Sequence, residues 1–425
     1  MEKQNNIKII FHFSSFTFNL RRASILIFSL FTFHFLSAQS LEFYLQEAEQ
    51  NSPMIQALEL RYNIAKEKVS EMNTLPNTTV AAGYFVSEPE TRTGAQRARF
   101  SVSQMLPWFG TITARENYAS SMAETEYTEI VIAKRKLALS LAQSYYNLYG
   151  IQAKQKVLQE NIELLKTYET LALTSVEVGK ASAVDILKLQ IRQNELQQQK
   201  EVLEQSYLAE QAVFNNLLNR EESIAVEVVE EMEIPEDDSI LNKDDLSLNP
   251  ELLKYDQLYE SVTQSELLNQ KENAPSFGIG LDYIPVSERE DMVFSDNGKD
   301  IVMPMVTFSI PVFNNRFKSV TKQNELRQKE IELQKAERLN VLENAYAYAI
   351  SQRNQARIAH QTQAKNLDQA KDAEEILIKN YETGTIDFND VLDIQELQLK
   401  FQTNQIQSVQ LYYLQSAIIN YLINK

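Results

Sequence analysis

Leu106-Pro107-Trp108-Phe109-Gly110 decides the fold, because the chain contains this stretch twice: it recurs as Ile310-Pro311-Val312-Phe313-Asn314. The period is about 200 residues, far longer than the roughly 20–50 residues of a solenoid repeat. The sequence therefore predicts a duplicated half, with the first repeat at 39–240 and the second at 241–425. Further matches pair Asn51-Ser52-Pro53 with Leu248-Asn249-Pro250, Gly179 with Gly384, Asp185-Ile186-Leu187 with Asp390-Val391-Leu392, and Gln190 with Gln395.

Residues 1–38 predict a secretory signal peptide that is cleaved from the mature chain. Basic residues come first, an apolar run over 24–36 follows, and Ala38 is a plausible cleavage point. A retained anchor is the weaker interpretation, because that run is too short to span a membrane as a helix. No later segment reaches about 18 consecutive apolar residues. An exported chain of this kind is expected in the periplasm, outside the cell, or in the outer membrane as a barrel.

Composition argues against an enzyme and against nucleic-acid binding. The chain has no cysteine and three histidines, of which only His360 lies beyond the signal peptide. We therefore expect no disulfide, no metal, no cofactor and no catalytic set. The formal net charge is −17, and removing four basic residues and one Glu with the signal peptide brings it to about −20. Such an acidic chain is not expected to bind nucleic acid.

Two long helical hairpins are predicted from the absence of proline. None occurs between Trp108 and Ile234, or after Pro311, and a proline inside a helix costs about 3 kcal/mol. Hydrophobic residues recur at or near the seven-residue spacing of coiled coils. In the first hairpin these are Leu158, Leu165, Ala172, Leu189 and Leu196.

The hairpins are expected at about 113–219 and 317–422. Gly179 and Gly384 would form their tips, because a positive φ is easiest for glycine. The longer helix of each hairpin would be roughly 100 Å long at about 1.5 Å per residue. Helices of this length in a chain of this size need other helices, from this chain or from copies of it, to cover their apolar seams.

Four strands precede the long helices, where the hydrophobic pattern changes to alternation. They are expected at about 78–86, 97–106, 277–284 and 302–310, and the connecting loops 87–96 and 285–301 are polar and charged, as expected of external loops. Each has about the length that crosses a bilayer as a tilted strand, and aromatic residues cluster near the ends, as in interface girdles. The alternative is a soluble sheet with one buried face. Four strands cannot close a barrel, which needs about eight, so a membrane-spanning version must be an oligomer of two, three or more copies.

With these features the chain resembles the TolC-like outer-membrane efflux proteins, over about 41–425. The most specific parts of the resemblance are the duplicated plan, the two strand-to-helix junctions and the tip segment 383–393. The resemblance implies a mainly α fold with a membrane β part. It implies a homotrimer whose strands close a twelve-stranded barrel in outer-membrane lipid, joined to an α-helical tunnel in the periplasm. It also implies an exit duct of a tripartite efflux or secretion system, energised by an inner-membrane transporter.

The resemblance also places the contact with a periplasmic adaptor protein at the hairpin tips. The tip residues are Val178, Gly179 and Lys180 in the first half, and Thr383, Gly384 and Thr385 in the second. Two features depart from parts of the family: no cysteine can carry a lipid, and the first tip contains a lysine.

Asp390 and Asp393 are the candidate periplasmic gate. Their i, i+3 spacing puts them on one face of the return helix, and the resemblance places acidic rings at this constriction of the tunnel. In a trimer each would form a ring of three carboxylates, which favours cations. The alternative is a helix-start role, because the helix dipole stabilises an Asp in the first turn. Asp185 is the poorer gate candidate, since Lys188 rather than an acid follows it.

Two functional classes are compatible with these patterns. The first is a passive channel for small molecules or ions, located in the outer membrane and with a large part in the periplasm. The second is a structural coiled-coil protein of the periplasm or cell surface, with the strands as a soluble cap. A channel would remain with outer membranes after salt washing, whereas a structural coiled coil would wash off.

Overall fold

The computed structural model describes residues 41–179, 182–237, 243–291 and 293–423. The predicted signal peptide and the tip residue Lys180 lie outside these residues. The described part is mostly helical, with two long helical hairpins and one four-stranded sheet. None of its helices is both long enough and apolar enough to cross a membrane.

Each half has short helices, strands and then a hairpin of long helices. The first half consists of α1 Leu41–Asn51, α2 Pro53–Met72, β1 Thr79–Tyr84, β2 Glu90–Thr91, β3 Gly94–Ala95, β4 Ala98–Leu106, α3 Thr111–Glu177 and α4 Ala183–Leu217. The second half consists of a 3₁₀ helix Lys243–Leu248, α5 Pro250–Glu272, β5 Ser276–Ile284, β6 Ile301–Ser309, α6 Arg316–Glu382 and α7 Phe388–Ile423.

The two longest helices, α3 and α6, are each 67 residues long. That length corresponds to roughly 100 Å at about 1.5 Å per residue. The one glycine within them, Gly150, marks a close approach: a Cβ added there would lie 2.4 Å from the side-chain oxygen of Gln410 in α7. The absence of proline and of any other glycine explains how helices of this length run without interruption.

Both short helices that precede the strands begin in the same way. Ser52 caps α2 by accepting a hydrogen bond from the Ile55 amide, and Asn249 caps α5 by accepting one from the Glu251 amide. A proline follows each cap at the first helical position, where its missing N–H is not needed. The faint sequence match between these segments therefore reflects one helix-start device used twice.

The helices pack through three hydrophobic clusters spaced along them. The cluster nearest the tips contains the five residues of the predicted seven-residue seam, Leu158, Leu165, Ala172, Leu189 and Leu196, all of them buried. A second cluster is built around Tyr44, Tyr145, Leu148 and Phe214. A third joins Leu246 and Leu252 to Leu342 and Ile419. The seam thus has the coiled-coil character that its spacing predicts.

The strands form one antiparallel sheet in the order β1-β4-β5-β6. β4 pairs with β5, so the sheet joins the two halves, and Val102 lies between Val80 and Leu281 on neighbouring strands. Within the described residues, β1 and β6 each have one edge without a strand partner.

A short hairpin, β2 and β3, lies within the predicted polar loop 87–96. The sequence analysis did not predict it, because strands of two residues are too short to show alternation. Gly94 makes the hairpin fit: its φ is +131°, and a Cβ there would overlap the Ser287 carbonyl oxygen at 1.7 Å.

An irregular segment, residues 221–237, follows α4 and lies along the long helices; we call it the acidic strap. Two of its residues, Val226 and Val228, are buried against the helices, whereas its glutamates are exposed. Tyrosine hydroxyls hold its backbone. Tyr145 accepts a hydrogen bond from the Val229 amide at 3.1 Å, and Tyr149 accepts one from the Met232 amide at 3.3 Å. These hydroxyls satisfy backbone groups that have no sheet partner.

We expect the double substitution Tyr145→Phe with Tyr149→Phe to loosen the acidic strap. It leaves two amides without partners, and each buried unpaired group costs about 1–3 kcal/mol. A glutamate-specific protease should then cut the strap faster, because the backbone next to its exposed glutamates detaches from the helices more often.

Tyr146→Phe is the matched control. The rings of Tyr146 and Tyr413 lie with centroids 5.3 Å apart and are tilted by 35°, but the Tyr146 hydroxyl has no hydrogen-bond partner among the residues that the structure describes. Cleavage of the double variant at the rate of this control would show that the hydroxyls do not hold the strap.

Candidate functional site

The four-stranded sheet has one apolar face, and that face is uncovered. The register aligns Phe100 with Tyr283 and Tyr283 with Val302, and the Phe100 and Tyr283 rings stack with centroids 6.5 Å apart. The exposed side chains on this face are Val80, Tyr84, Phe100, Val102, Ile279, Leu281, Tyr283, Val302, Val306 and Phe308. A contiguous apolar surface of this kind marks a site that contacts another protein or a membrane.

Gln104 is the polar exception on the apolar face. Its amide nitrogen donates hydrogen bonds to the carbonyl oxygens of Pro76, at 2.7 Å, and Met105, at 2.9 Å. Its side-chain oxygen accepts one from the Thr78 hydroxyl at 2.5 Å. The amide is therefore satisfied locally, at the end of the strand nearest the helices.

The opposite face of the sheet is made mainly of small, polar and charged residues, together with Met105, Met303 and Met305. Arg99 in β4 forms an ion pair with Asp282 in β5, and Asp282 is inaccessible to solvent. Gly278 and Gly280 leave room for the side chains of neighbouring strands, since a Cβ at Gly278 would lie 2.6 Å from the Met105 sulfur. One apolar and one polar face is the pattern of a strand that alternates between lipid and an aqueous interior.

Aromatic side chains lie at both ends of the sheet. Trp108, Phe109 and Phe313 are exposed at the end that leads into the helices. Phe109 lies 5.7 Å from Trp108 and 6.0 Å from Phe277, between ring centroids. Tyr84 and Tyr283 are exposed at the other end. These positions match the predicted interfacial girdles.

The two loops beyond the sheet are tied together. Arg289 forms ion pairs with Asp291 at 2.9 Å and Glu90 at 3.6 Å, and the Gly298 amide donates to the Thr93 carbonyl at 2.8 Å. The loops 87–96 and 285–301 are polar, as predicted, and they contact each other rather than standing apart. Their contacts cover the same end of the sheet.

Both hairpin tips turn at a glycine in the left-handed region. Gly179 has φ of +72° and Gly384 has φ of +76°, and no atom lies within 4 Å of a Cβ added at either. The hydroxyls of Thr383 and Thr385 donate to the Asn380 carbonyl at 2.9 and 2.8 Å. The described tip residues are thus exposed and held in a defined turn, while Lys180 lies outside the described residues.

The return helices α4 and α7 begin with different aspartates. Asp185 accepts a hydrogen bond from the Ser182 amide at 3.2 Å in a capping box, and it is buried. In α7 the corresponding role belongs to Asp387, which accepts from the Asn389 amide at 2.8 Å. The helix-start interpretation is therefore confirmed for Asp185, but capping at α7 does not need the carboxylate of Asp390.

Asp390 and Asp393 lie together on the exposed face of α7. The opposite face buries Phe388 and Val391. Neither aspartate has a side-chain partner among the residues that the structure describes. The two carboxylates are therefore available to a ligand, an ion or another chain.

Two carboxylates that were not predicted from the sequence join the two helices of a hairpin by hydrogen bonds, which we call fastenings. Glu169 in α3 accepts hydrogen bonds from Gln190 at 2.8 Å and Gln193 at 2.9 Å, and these two donors lower its pKa. Glu374 in α6 accepts one from Gln398 at 2.9 Å. The repeat of Gln190 as Gln395 was visible in the sequence, but only Gln190 donates to a glutamate, whereas Gln395 donates to Asn161. The repeated contact is instead the one from Gln193 to Glu169 and from Gln398 to Glu374.

Tyr168 connects Glu374, in the second hairpin, to the first hairpin. The Tyr168 hydroxyl of α3 donates to Glu374, and its ring meets Phe388 edge-on with centroids 6.1 Å apart. Burial raises the pKa of Tyr168, and the hydrogen bond to Glu374 raises it further. Lys188 of α4 also donates to the Asn389 side chain at 2.5 Å. The two hairpins of one chain are therefore linked near their tips.

No protein-family model and no curated protein sequence matches the chain. Solved structures match it in fold. The outer-membrane channel OprN has a TM-score of 0.72 at 14% identity, covering 90% of this chain and 89% of OprN. The outer membrane protein VceC of Vibrio cholerae has a TM-score of 0.70 at 15% identity, covering 90% and 95%.

CusC, which has been studied for conformational changes accompanying folding and transmembrane channel formation, has a TM-score of 0.73 at 12% identity. The match covers 90% of this chain and 91% of CusC. At such low identities the likeness shows the fold alone. The resemblance to TolC-like proteins is thereby confirmed at the level of the fold: the chain has the fold of these outer-membrane channels.

Proposed function

We propose that the chain is the outer-membrane channel, or exit duct, of a tripartite efflux or secretion system. It would be exported by the signal peptide 1–38 and would pass small molecules or ions passively from the periplasm to the outside. The observation that supports this most is the uncovered apolar face of a sheet that continues into helices roughly 100 Å long. A soluble cap, as in the structural coiled-coil alternative, would need a second apolar layer over that face.

The two open sheet edges support a homotrimer. Unpaired backbone groups cost several kcal/mol each in hydrocarbon, so a membrane sheet must close. Each chain contributes four strands and four long helices. Three copies would supply twelve of each, as the TolC-like resemblance implies, with the apolar face toward outer-membrane lipid and the polar face toward the interior.

The exposed tips are the proposed docking surface for a periplasmic adaptor protein, which would connect the duct to an inner-membrane transporter. Their turns are defined and unobstructed, so a partner can reach Val178, Gly179 and Thr383 to Thr385. Lys180 belongs to the same proposed surface by its place in the sequence. Asp390 and Asp393 lie a few residues above the second tip and would form two acidic rings at the inner end of a trimeric tunnel.

Membrane location and assembly can be tested on adjacent residues of one strand. Val102→Lys puts a charge on the apolar face, which costs about 2–4 kcal/mol near the bilayer midplane. Ser103→Lys puts the same charge on the polar face. We expect the first variant to lose the salt-resistant outer-membrane fraction and the second to keep it.

Chemical cross-linking of the Ser103→Lys variant and of the unchanged chain should reach three linked chains and no more. A salt-soluble wild-type chain, or a stable monomer inserted in the membrane, would contradict the duct.

The tips can be tested by strain at the two glycines. Gly384→Val with Gly179→Val forces a β-branched residue into the left-handed region, at a cost of about 1–2 kcal/mol or more per site. Export should fall while the oligomer and its membrane location persist. Asparagine at the same two positions tolerates this conformation and should preserve most of the transport. Normal transport by the valine variant would move the docking surface elsewhere.

The gate can be tested by single-channel recording in planar bilayers. Asp390→Ala with Asp393→Ala should weaken block by multivalent cations and reduce cation selectivity, because two rings of three carboxylates are lost. Asp185→Ala is the control, since it removes a capping carboxylate, worth about 1 kcal/mol, but no exposed one. Unchanged block and selectivity in the double variant would place the constriction at other residues.

A further inference from the structure

A cavity lies at the junction between the sheet and the helices. Three connections enclose it: β4 leads into α3, α5 leads into β5, and β6 leads into α6. Its volume of about 560 Å³ falls within the roughly 300–1,000 Å³ that small-molecule sites occupy. The charged and hydroxyl side chains of its lining include Arg115, Lys271, Glu272, Ser276, Ser309 and Arg316.

Contacts between the three connections fix the walls of this junction cavity. Two nitrogens of Arg115 in α3 donate to one carboxylate oxygen of Glu272 in α5, at 3.2 and 3.0 Å. On the other side, the Asn269 amide of α5 donates to the Phe317 carbonyl of α6 at 3.1 Å. The chain therefore forms the cavity by itself, and a ligand does not have to draw the three connections together.

The junction cavity carries an excess of positive charge. Three of its lining residues are basic, and the one acid, Glu272, is already paired with Arg115. The other two cations, Lys271 and Arg316, have no ion-pair partner among the residues that the structure describes. The chain as a whole has a net charge of −17, so the composition does not account for two unpaired cations on one cavity.

The two unpaired cations belong to different helices. Lys271 extends from the end of α5 to the turn before α3, because a Cβ added at Gly110 would lie 3.7 Å from the Lys271 Nζ atom. Arg316 is the first residue of α6, where the helix dipole disfavours positive charge. An oxyanion in the cavity would supply the negative charge that both side chains lack.

A phosphate group matches this lining in charge and in hydrogen bonding. As a monoester it carries up to about two negative charges at neutral pH, one for each unpaired cation. The planar guanidinium of Arg316 can donate to two phosphate oxygens at once, and the Lys271 ammonium acts as a point charge. Ser276 and Ser309, which lie opposite each other on β5 and β6, provide hydroxyl donors for the remaining oxygens.

We propose that the junction cavity binds a phosphate group through Lys271 and Arg316, with Ser276 and Ser309 as further donors. The cavity and its charges belong to the single chain, so this site goes beyond the proposed duct and does not require it. Only the source of the phosphate group rests on the proposed duct.

Two sources of phosphate reach this junction in the proposed duct. Ser276 and Ser309 end the polar face of the sheet, which would meet the aqueous interior and any dissolved phosphate compound. Trp108 also lines the cavity, and it belongs to the exposed aromatic residues expected at the level of lipid headgroups. A phospholipid headgroup is therefore the second source, bound as basic pockets of membrane proteins bind such headgroups.

Trp108 provides the measurement, because it is the only tryptophan of the chain and lines the cavity. The purified full chain, in phosphate-free detergent solution, is titrated with inorganic phosphate and separately with dihexanoyl phosphatidylglycerol. We expect a saturable change in tryptophan fluorescence with at least one of these probes. Lys271→Gln with Arg316→Gln should raise the dissociation constant about tenfold or more, because the charge-assisted hydrogen bonds are lost. Lys271→Arg with Arg316→Lys keeps both charges and should retain most of the affinity.

The matched control is Lys318→Gln with Lys322→Gln. It removes the same charge from the same end of α6, but neither lysine lines the cavity, so it should bind the probe as the unchanged chain does. A chain that gives no saturable response to either probe would overturn the site. Equal affinity in the unchanged chain and in the Lys271→Gln, Arg316→Gln variant would also overturn it.

Competition between the probes identifies the source. A response to inorganic phosphate that the lipid does not displace assigns the dissolved source. A response to the lipid alone, with phospholipid retained by the unchanged chain and lost from the glutamine variant during purification, assigns the headgroup. Salt washing and cross-linking of the same proteins separate this site from the duct. A salt-resistant, three-chain assembly that ignores both probes refutes the site alone, whereas a salt-soluble chain that binds phosphate refutes the duct alone.

Discussion

The structure depends on the unpaired edges of its four-stranded sheet. β1 and β6 each present backbone donors and acceptors on one side, and the face between them is apolar. In water such an edge invites association, and in lipid every unpaired group costs several kcal/mol. Among the residues that the structure describes, no further strand pairs with either edge. A sheet of this kind placed in lipid would therefore need strands from further copies to pair its two edges.

The long helices continue directly from the strands of the sheet. Each strand pair continues into a 67-residue helix through a proline junction, so the position of the helices is determined by the position of the strands. A glycine also allows the turn into α3, because Gly110 has a φ of 80° directly before that helix. The fastenings at Glu169 and Glu374 keep each hairpin closed near its tip. The long part of the structure is thus built mainly from contacts between neighbouring helices.

Most of the architecture was predictable because its signals are periodic. The seam residues Leu158 and Leu189 were found from spacing alone, and β4 at Ala98–Leu106 was expected at 97–106. The acidic strap was missed because its partners lie far away in the chain: Tyr145 and Val229 are 84 residues apart. An irregular backbone held by side-chain hydroxyls has no period to detect. At the candidate gate, the sequence could not separate Asp387, which caps α7, from Asp390, which does not.

The two halves share one order of elements because the sequence is duplicated, but their side chains differ near the hairpin tips. Tyr168 and Phe388, which pack together within the chain, correspond to Ala373 and Ala183. A contact between alanines buries far less apolar surface than one between two aromatic rings, at about 25 cal/mol per Å². Tyr168 and Lys188 therefore link the two hairpins of one chain beside the tips, whereas the matching positions 373 on α6 and 183 on α4 hold alanines. The two halves therefore share one backbone plan, while the side chains beside the tips place the aromatic contact on α3 and α7 rather than on α6 and α4.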